Sequence, residues 1–174
     1  MAMTRIERFR EMVAESGVLA DPQVGEGFVY GKARLPAADA DINLNIDPEI
    51  DDADNEDAAL VAATRLFLSI DPTTWRGIVE AIAAEVEEAV GGVSVLETTD
   101  LRDDLRICSA VIFADSVLLS FAAPRQFPGC WIRAQLGEGM EVEDIAVDAS
   151  DDVETVEFNS LDGLLDQLSS DESR

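Results

Sequence analysis

Apolar residues recur at spacings of three and four along three stretches of the first half of the chain, and this period predicts amphipathic helices. The first stretch begins with a capping-box pattern, Thr4 followed by Glu7, and ends at Gly17. The other two stretches cover residues 58–70 and 72–90, and a proline at the first turn of the second favours a helix start there. We therefore expect three helices before the pattern changes.

The period changes to two in the other segments, which predicts β-strands. Residues 27–34 and 41–47 flank Pro36 and form a predicted hairpin. After a pair of glycines at 91–92, five β-rich runs joined by short breaks predict an antiparallel meander. The runs cover residues 93–97, 105–113, 116–123, 130–136 and 140–148. A last helix is predicted at 160–168.

The order of helix, hairpin, two helices, meander and helix predicts an α+β fold. In this fold a mostly antiparallel sheet, built from the N-terminal hairpin plus the C-terminal meander, is covered on one face by helices. The other face is expected to meet solvent or a partner. We expect residues 1–168 to form a single domain and residues 169–174 to form a polar tail.

The chain carries 37 Asp and Glu residues against 12 Lys and Arg residues and no His, a formal net charge of −25. A surface of this charge repels nucleic acids and anionic membranes, because proteins bind both by neutralising phosphates with Lys and Arg. The sequence has no apolar run typical of a signal peptide or a membrane span. We expect a cytoplasmic protein that binds neither nucleic acid nor membrane directly.

The absence of His removes the commonest general base and metal ligand, so any catalysis would rely on carboxylates or Arg. Adjacent carboxylates occur at residues 87–88, 103–104 and 151–152. An acid–base pair needs one carboxyl group in a dry apolar pocket, and none of these pairs lies in an apolar run. We assign no catalytic residue, no cofactor and no metal ion, and the pattern favours a non-enzymatic protein.

Two cysteines, Cys108 and Cys130, fall within strand-like runs, where a free cysteine usually behaves as a small buried hydrophobe. A cytoplasmic setting argues against a disulfide between them. We therefore expect both cysteines to be buried free thiols.

Residues 47–57 hold seven acids in eleven positions and no base, which predicts a solvated loop between the two halves of the chain. An EF-hand calcium loop does not fit, because Asp52 stands where Gly is required and Ala58 where the bidentate Glu is required. A plain solvated loop and a nonspecific divalent-cation site both remain open. The candidate partner contacts are Asp47, Glu49, Asp51, Asp52, Asp54, Glu56 and Asp57.

A second group of candidate contacts lies in residues 124–133, which combine two prolines, a glycine, two aromatic residues and two arginines. Aromatic residues and Arg are typical of interface hot spots, so Arg125, Phe127, Trp131 and Arg133 are candidate partner contacts. The alternative is a Pro-shaped turn that leads into a strand, with Trp131 in the core and Arg133 paired with a nearby acid. Strand alternation places Trp131 and Arg133 on the same side. Elsewhere, Arg102 and Arg106 are expected to neutralise the local acids.

The helix TTWRGIVEAIAAEV and the segments LRICSAVIFADSVLLSF and FPGCWIRAQLGEGMEVEDIAV resemble an uncharacterised family of bacterial cytoplasmic proteins. This domain of unknown function has some relatives associated with toxin-immunity loci, and the resemblance covers about half of the chain. Family members commonly carry a His directly after the Gly, where this chain has Cys130. The resemblance implies a fold and a cytoplasmic setting, and it carries over no catalytic residue.

The charge and the absence of a recognisable catalytic pattern favour an acidic, immunity-like or inhibitor-like binding protein that engages a basic protein partner. Three alternatives stay open. Spaced carboxylates can imitate a phosphate row, as in a DNA-mimic protein. Excess acid and a single Lys are also typical of a cytoplasmic protein adapted to high salt. An enzyme of unknown activity is the third, and the sequence leaves open whether two copies associate.

Overall fold

The computed structural model describes residues 1–49, 55–90 and 99–149, where seven strands form one sheet in chain order. The strands are β1 (Ala20–Val24), β2 (Val29–Leu35), β3 (Ala40–Ile46), β4 (Arg106–Ile112), β5 (Val117–Ala123), β6 (Phe127–Leu136) and β7 (Val142–Ala149). The helices in the same ranges are α1 (Arg5–Ser16), α2 (Asn55–Leu68), α3 (Pro72–Ala89) and α4 (Leu101–Asp104), and a 3₁₀ turn spans Pro36–Ala38.

All neighbouring strands are antiparallel except β3 and β4, which run parallel. A parallel pair needs a long crossover, and α2, α3 and α4 lie in the segment that links β3 to β4. The predicted α+β fold with a mostly antiparallel sheet is therefore confirmed. The N-terminal hairpin and the C-terminal meander join through this parallel pair into a single sheet.

One face of the sheet carries the hydrophobic core. Strand side chains alternate between faces, and the inward positions of β2 to β6 are almost all fully buried. Helix α3 packs against this face, where the ring of Trp75 stacks on Phe121 with centroids 5.8 Å apart. The main strand contributors are Leu35, Ile42, Leu44, Ile46, Ile112, Leu119, Phe121, Ile132 and Leu136, and the helices add Phe9, Val13, Leu60, Phe67, Trp75 and Ile82.

Side-chain caps fix the start of two helices. At α1 the predicted capping box is present, because the Glu7 backbone N–H donates to Thr4 Oγ1 at 3.3 Å and Glu7 Oε2 accepts from the Thr4 N–H at 2.7 Å. Gly17 ends this helix in the left-handed conformation, with φ of 71°. At α3, Asp71 Oδ1 accepts from the N–H groups of Thr73 and Thr74 at 2.8 and 2.9 Å.

The sequence pattern missed β1. Four of its five residues are exposed, Asp21 has a φ of 46°, and the register with β2 shifts between Ala20 and Gln23. An irregular edge strand of this kind carries no period of two. It is recognised only by its pairing with β2.

The prediction of a loop over residues 47–57 is wrong at its end, because α2 begins at Asn55 and contains Glu56 and Asp57. Acidic residues are favourable in a first helical turn, where they meet the positive end of the helix dipole. Residues 50–54, the predicted strand 93–97, the predicted helix 160–168 and the polar tail lie outside the described residues.

The predicted burial of the two cysteines is also wrong, since both Cys108 and Cys130 are only half-buried free thiols. Both lie where the pairing with β5 is irregular, Cys108 at a register shift in β4 and Cys130 close to one in β6. Partial burial raises the pKa of the Cys130 thiol above its ordinary value. In the described part of the chain, no helix has the length and apolar character needed to cross a bilayer.

Replacing Asp71 tests the cap of α3. Hydrogen bonds from Thr74 lower the pKa of Asp71 below its ordinary value of 3.8. A carboxyl group with a depressed folded-state pKa stabilises the fold above its unfolded pKa, and the stabilisation is lost as the pH falls through the folded pKa. Asp71→Ala is therefore expected to lower the thermal midpoint at neutral pH, by an amount that shrinks when both proteins are unfolded below about pH 3. A difference in thermal midpoint that stays constant with pH would contradict the assignment of Asp71 as the charged cap of α3.

Candidate functional site

The face of the sheet opposite the core forms a continuous surface, which we call the outer sheet face. It is defined by the outward positions of β2 to β7 in the register of the strands. These are Tyr30, Lys32, Arg34, Asp41, Asn43, Asn45, Arg106, Ser109, Val111, Leu118, Ser120, Ala122, Trp131, Arg133, Gln135, Asp144, Ala146 and Asp148. None of these side chains belongs to the hydrophobic core.

The outer sheet face is close to electrical balance, although the chain as a whole has a net charge of −25. Its basic residues are Lys32, Arg34, Arg106 and Arg133, and its acidic residues are Asp41, Asp144 and Asp148. The middle strands present neutral amides and hydroxyls, such as Asn43, Ser109 and Ser120, which lie side by side in the strand register. The negative charge of the described residues is therefore concentrated elsewhere on the molecule.

Two aromatic side chains mark opposite sides of the outer sheet face. Tyr30 on β2 is 41% exposed and Trp131 on β6 is 38% exposed. Half-buried Val111 and Leu118 lie between them on β4 and β5. The combination of exposed aromatic rings with apolar and amide groups is typical of protein-binding surfaces.

The structure separates the second group of predicted contacts. Trp131 and Arg133 lie on the same face, as predicted, and Arg133 Nε is 3.0 Å from Asp148 Oδ2. The expected pairing of Arg133 with an acid is confirmed, but Trp131 is not in the core. Phe127 is half-buried against the core, and Arg125 Nη1 donates to Thr99 Oγ1 at 3.2 Å. Only Trp131 and Arg133 of this group therefore belong to the outer sheet face.

The buried carboxylate of Asp104 holds the turn between β5 and β6. Its Oδ2 atom accepts from the backbone N–H groups of Arg125 at 3.0 Å and Gln126 at 2.8 Å. Asp104 is 2% exposed, and it lies at the end of α4. These two hydrogen bonds tie α4 to the turn that leads into β6, and they fix the start of the strand that carries Trp131.

The described residues of the acidic segment have different environments. Asp47 is half-buried and Glu49 is exposed directly after β3, while Glu56 is half-buried in α2. Asp57 is 6% exposed and accepts from Arg5 Nη2 at 3.2 Å, so its carboxylate is occupied within the fold. Asp51, Asp52 and Asp54 lie outside the described residues.

A cleft of about 230 Å³ connects the acidic segment to the outer sheet face. Its lining includes Glu49 of the acidic segment and Leu118 and Gln135 of the outer sheet face. Of the predicted contacts, Glu49 alone lines this cleft, so the acidic segment reaches the border of the outer sheet face without meeting the second group. Among the residues that the structure describes, no three His, Cys, Asp or Glu side chains are placed to hold a metal ion.

The helical layer carries a surface of the opposite character, which we call the α3–α4 acidic surface: Glu80, Glu87 and Asp100 around Arg102, with Arg76, Glu85 and Glu88 elsewhere on α3 and Asp103 on α4. Arg102 Nη2 lies 2.8 Å from Glu80 Oε1, and its Nη1 atom lies 2.7 Å from Glu87 Oε1 and 3.0 Å from Asp100 Oδ1. The expectation that Arg102 neutralises local acids is confirmed, although two of its three partners come from α3.

The Arg102 contacts explain the titration of this surface. Hydrogen bonds from Arg102 lower the pKa of Glu80, and the Arg102 backbone N–H lowers the pKa of Asp100. The three carboxylates in turn raise the pKa of the Arg102 guanidinium further above its ordinary value. Glu80, Asp100 and Arg102 therefore stay charged at neutral pH.

The family models, the curated proteins and the solved structures compared with this chain gave no match. The resemblance to a domain of unknown function with toxin-immunity relatives therefore stays a prediction.

Replacing Asp104 tests whether this carboxylate supports the turn before β6. Asp104→Ala leaves the N–H groups of Arg125 and Gln126 without their acceptor, and we expect a loss of about 1–3 kcal/mol in the free energy of unfolding. Asp104→Asn keeps one acceptor oxygen and should lose less. Urea unfolding measures both, with Asp103→Ala, its exposed neighbour, as the control. Equal effects at positions 103 and 104 would contradict the assignment.

Proposed function

We propose that this chain is a non-enzymatic binding protein, immunity-like or inhibitor-like, that engages a basic protein partner through its helical side. The observation that supports the proposal is the separation of charge between the two sides of the sheet. The outer sheet face is near electrical balance, whereas the α3–α4 acidic surface holds six carboxylates and two guanidinium groups.

Carboxylates concentrated on one surface act differently from carboxylates spread evenly over the whole molecule. Carboxylates that serve solubility or salt adaptation are expected on every exposed surface. The outer sheet face is exposed at Tyr30 and Trp131, yet it has no excess of acidic residues. A concentrated negative surface attracts and orients a cationic partner before contact, which raises the association rate. The distribution therefore favours partner binding over a general coat.

The fixed geometry of the α3–α4 acidic surface adds to this argument. Arg102 holds Glu80, Glu87 and Asp100 within hydrogen-bond distance of one guanidinium, so these long side chains lose little further freedom on binding. Glu85 and Glu88 on the last turns of α3 and Asp103 on α4 are exposed. These three carboxylates are available to Lys and Arg side chains of a partner.

Matched charge variants test the proposal. Glu85→Gln, Glu88→Gln and Asp103→Asn together remove three negative charges from the α3–α4 acidic surface. Glu138→Gln, Glu141→Gln and Glu143→Gln remove three charges from exposed positions in the β6–β7 turn and at the start of β7. Both triple variants have the same net charge, so any difference between them reports the location of the carboxylates.

Affinity capture from an extract of the native cell, followed by mass spectrometry, would identify the partner, and stopped-flow kinetics would then measure its association. We expect the α3–α4 triple variant to associate about 3–10-fold more slowly than wild type, because steering depends on local charge, with a smaller change for the turn variant. Association should slow further in about 0.5 M salt, where the Debye length falls below about 5 Å.

Equal rates for the two triple variants, or salt-independent association, would overturn the proposal. Duplex DNA added as a competitor tests the DNA-mimic alternative. If DNA displaces the chain from the captured partner, that partner binds nucleic acid and the carboxylates replace its phosphates. If DNA has no effect, the partner recognises the acidic surface as a protein.

A further inference from the structure

We infer that the outer sheet face is the interface of a homodimer, in which a second copy of this chain packs face to face on the same surface. The inference goes beyond the binding of a basic partner, and it uses the opposite side of the molecule. It rests on the charge balance, the self-complementary charge pattern, the exposed aromatic residues and the size of this face.

Charge restricts where two copies can meet. Two molecules with a net charge of −25 repel each other, so they can approach closely only through surfaces where charge is locally balanced. The outer sheet face meets this condition, with four basic and three acidic side chains. The α3–α4 acidic surface does not, because two copies of it would bring twelve carboxylates together with only four guanidinium groups.

The charges on the outer sheet face are also arranged so that they complement themselves. The exposed basic residues Lys32 and Arg34 lie on β2, and the exposed acidic residue Asp144 lies on β7 at the other side. In a symmetric dimer both copies use the same patch. A two-fold axis parallel to the strands and between β4 and β5 places β2 of one copy over β7 of the other. In the strand register, Arg34 then lies over Asp148, and Val111 lies over Leu118.

The apolar residues and the size of the face fit a reversible dimer. Tyr30 and Trp131 are the kind of aromatic side chain that dominates interface energies. The outer sheet face spans six strands of seven to ten residues. At about 4.8 Å between strands and roughly 3.3 Å per residue, it covers roughly 650–750 Å². Two such faces bury roughly 1,300–1,500 Å², which is within the range of specific interfaces.

Analytical ultracentrifugation over a range of protein concentrations at physiological salt tests the inference. We expect a concentration-dependent mass that rises toward twice the 18.8 kDa of one chain. Trp131→Glu and Tyr30→Glu each bury a charge in the dimer, and each should raise the dissociation constant by at least about tenfold. Circular dichroism should show that both variants fold, because the two side chains are exposed.

Leu66→Glu is the matched control, since Leu66 is 56% exposed on α2, in the helical layer. It introduces the same charge at an exposed apolar position, and it should leave the dimer within about twofold of wild type. A wild-type chain that stays monomeric at every concentration would overturn the inference. So would equal dissociation of the Leu66→Glu and Trp131→Glu variants, or a dimer unaffected at both Trp131 and Tyr30.

Discussion

The burial of one face of the sheet beneath the helices is the constraint on which the rest of the structure depends. Strand side chains alternate, so inward Leu44, Leu119 and Ile132 fix their strand neighbours on the outer sheet face. The long connection that carries α2, α3 and α4 makes β3 and β4 parallel and joins two antiparallel units into one sheet. Its helices cover the core face, and the described helices leave the other face uncovered.

The burial of one sheet face also determines where charged side chains can lie. Carboxylates are excluded from the core unless they are satisfied, as Asp57 is by Arg5 and Asp104 is by two backbone N–H groups. On the helical side, Arg102 holds three carboxylates close together. On the outer sheet face, neutral side chains such as Asn43 and Ser120 occupy the middle positions. Among the described residues, the result is an acidic surface on α3 and α4 and a balanced outer sheet face, which suit two different kinds of contact.

The periodicity of the sequence predicted α1, α3 and the strands from β2 to β7, because each carries a regular period or a clear cap. It missed β1, whose bulged, exposed edge has no period, and it placed Glu56 and Asp57 in a loop because composition does not reveal a helix start. The outer sheet face needed the strand register, since Asn43, Ser109 and Ser120 are far apart in sequence and meet only through β3–β4–β5 pairing. The alternating Asn residues of β3 were the one local sequence signal that pointed to the outer sheet face.

Fluorescence quenching at dilute protein concentration measures the separation of charge directly. Trp75 is buried in the core and is common to both proteins compared. Trp131 reports on the outer sheet face of the wild type, whereas Ala84→Trp in a Trp131→Phe background reports on the acidic side. Ala84 is exposed on α3 one turn from Glu80, Glu87 and Glu88. With each ion scaled by its quenching of free N-acetyltryptophanamide, iodide and caesium should quench Trp131 to within about twofold of each other. On the same scale, caesium should quench the indole introduced at position 84 at least about fivefold better than iodide. Exclusion of iodide to the same extent from both positions would contradict the two-sided charge distribution.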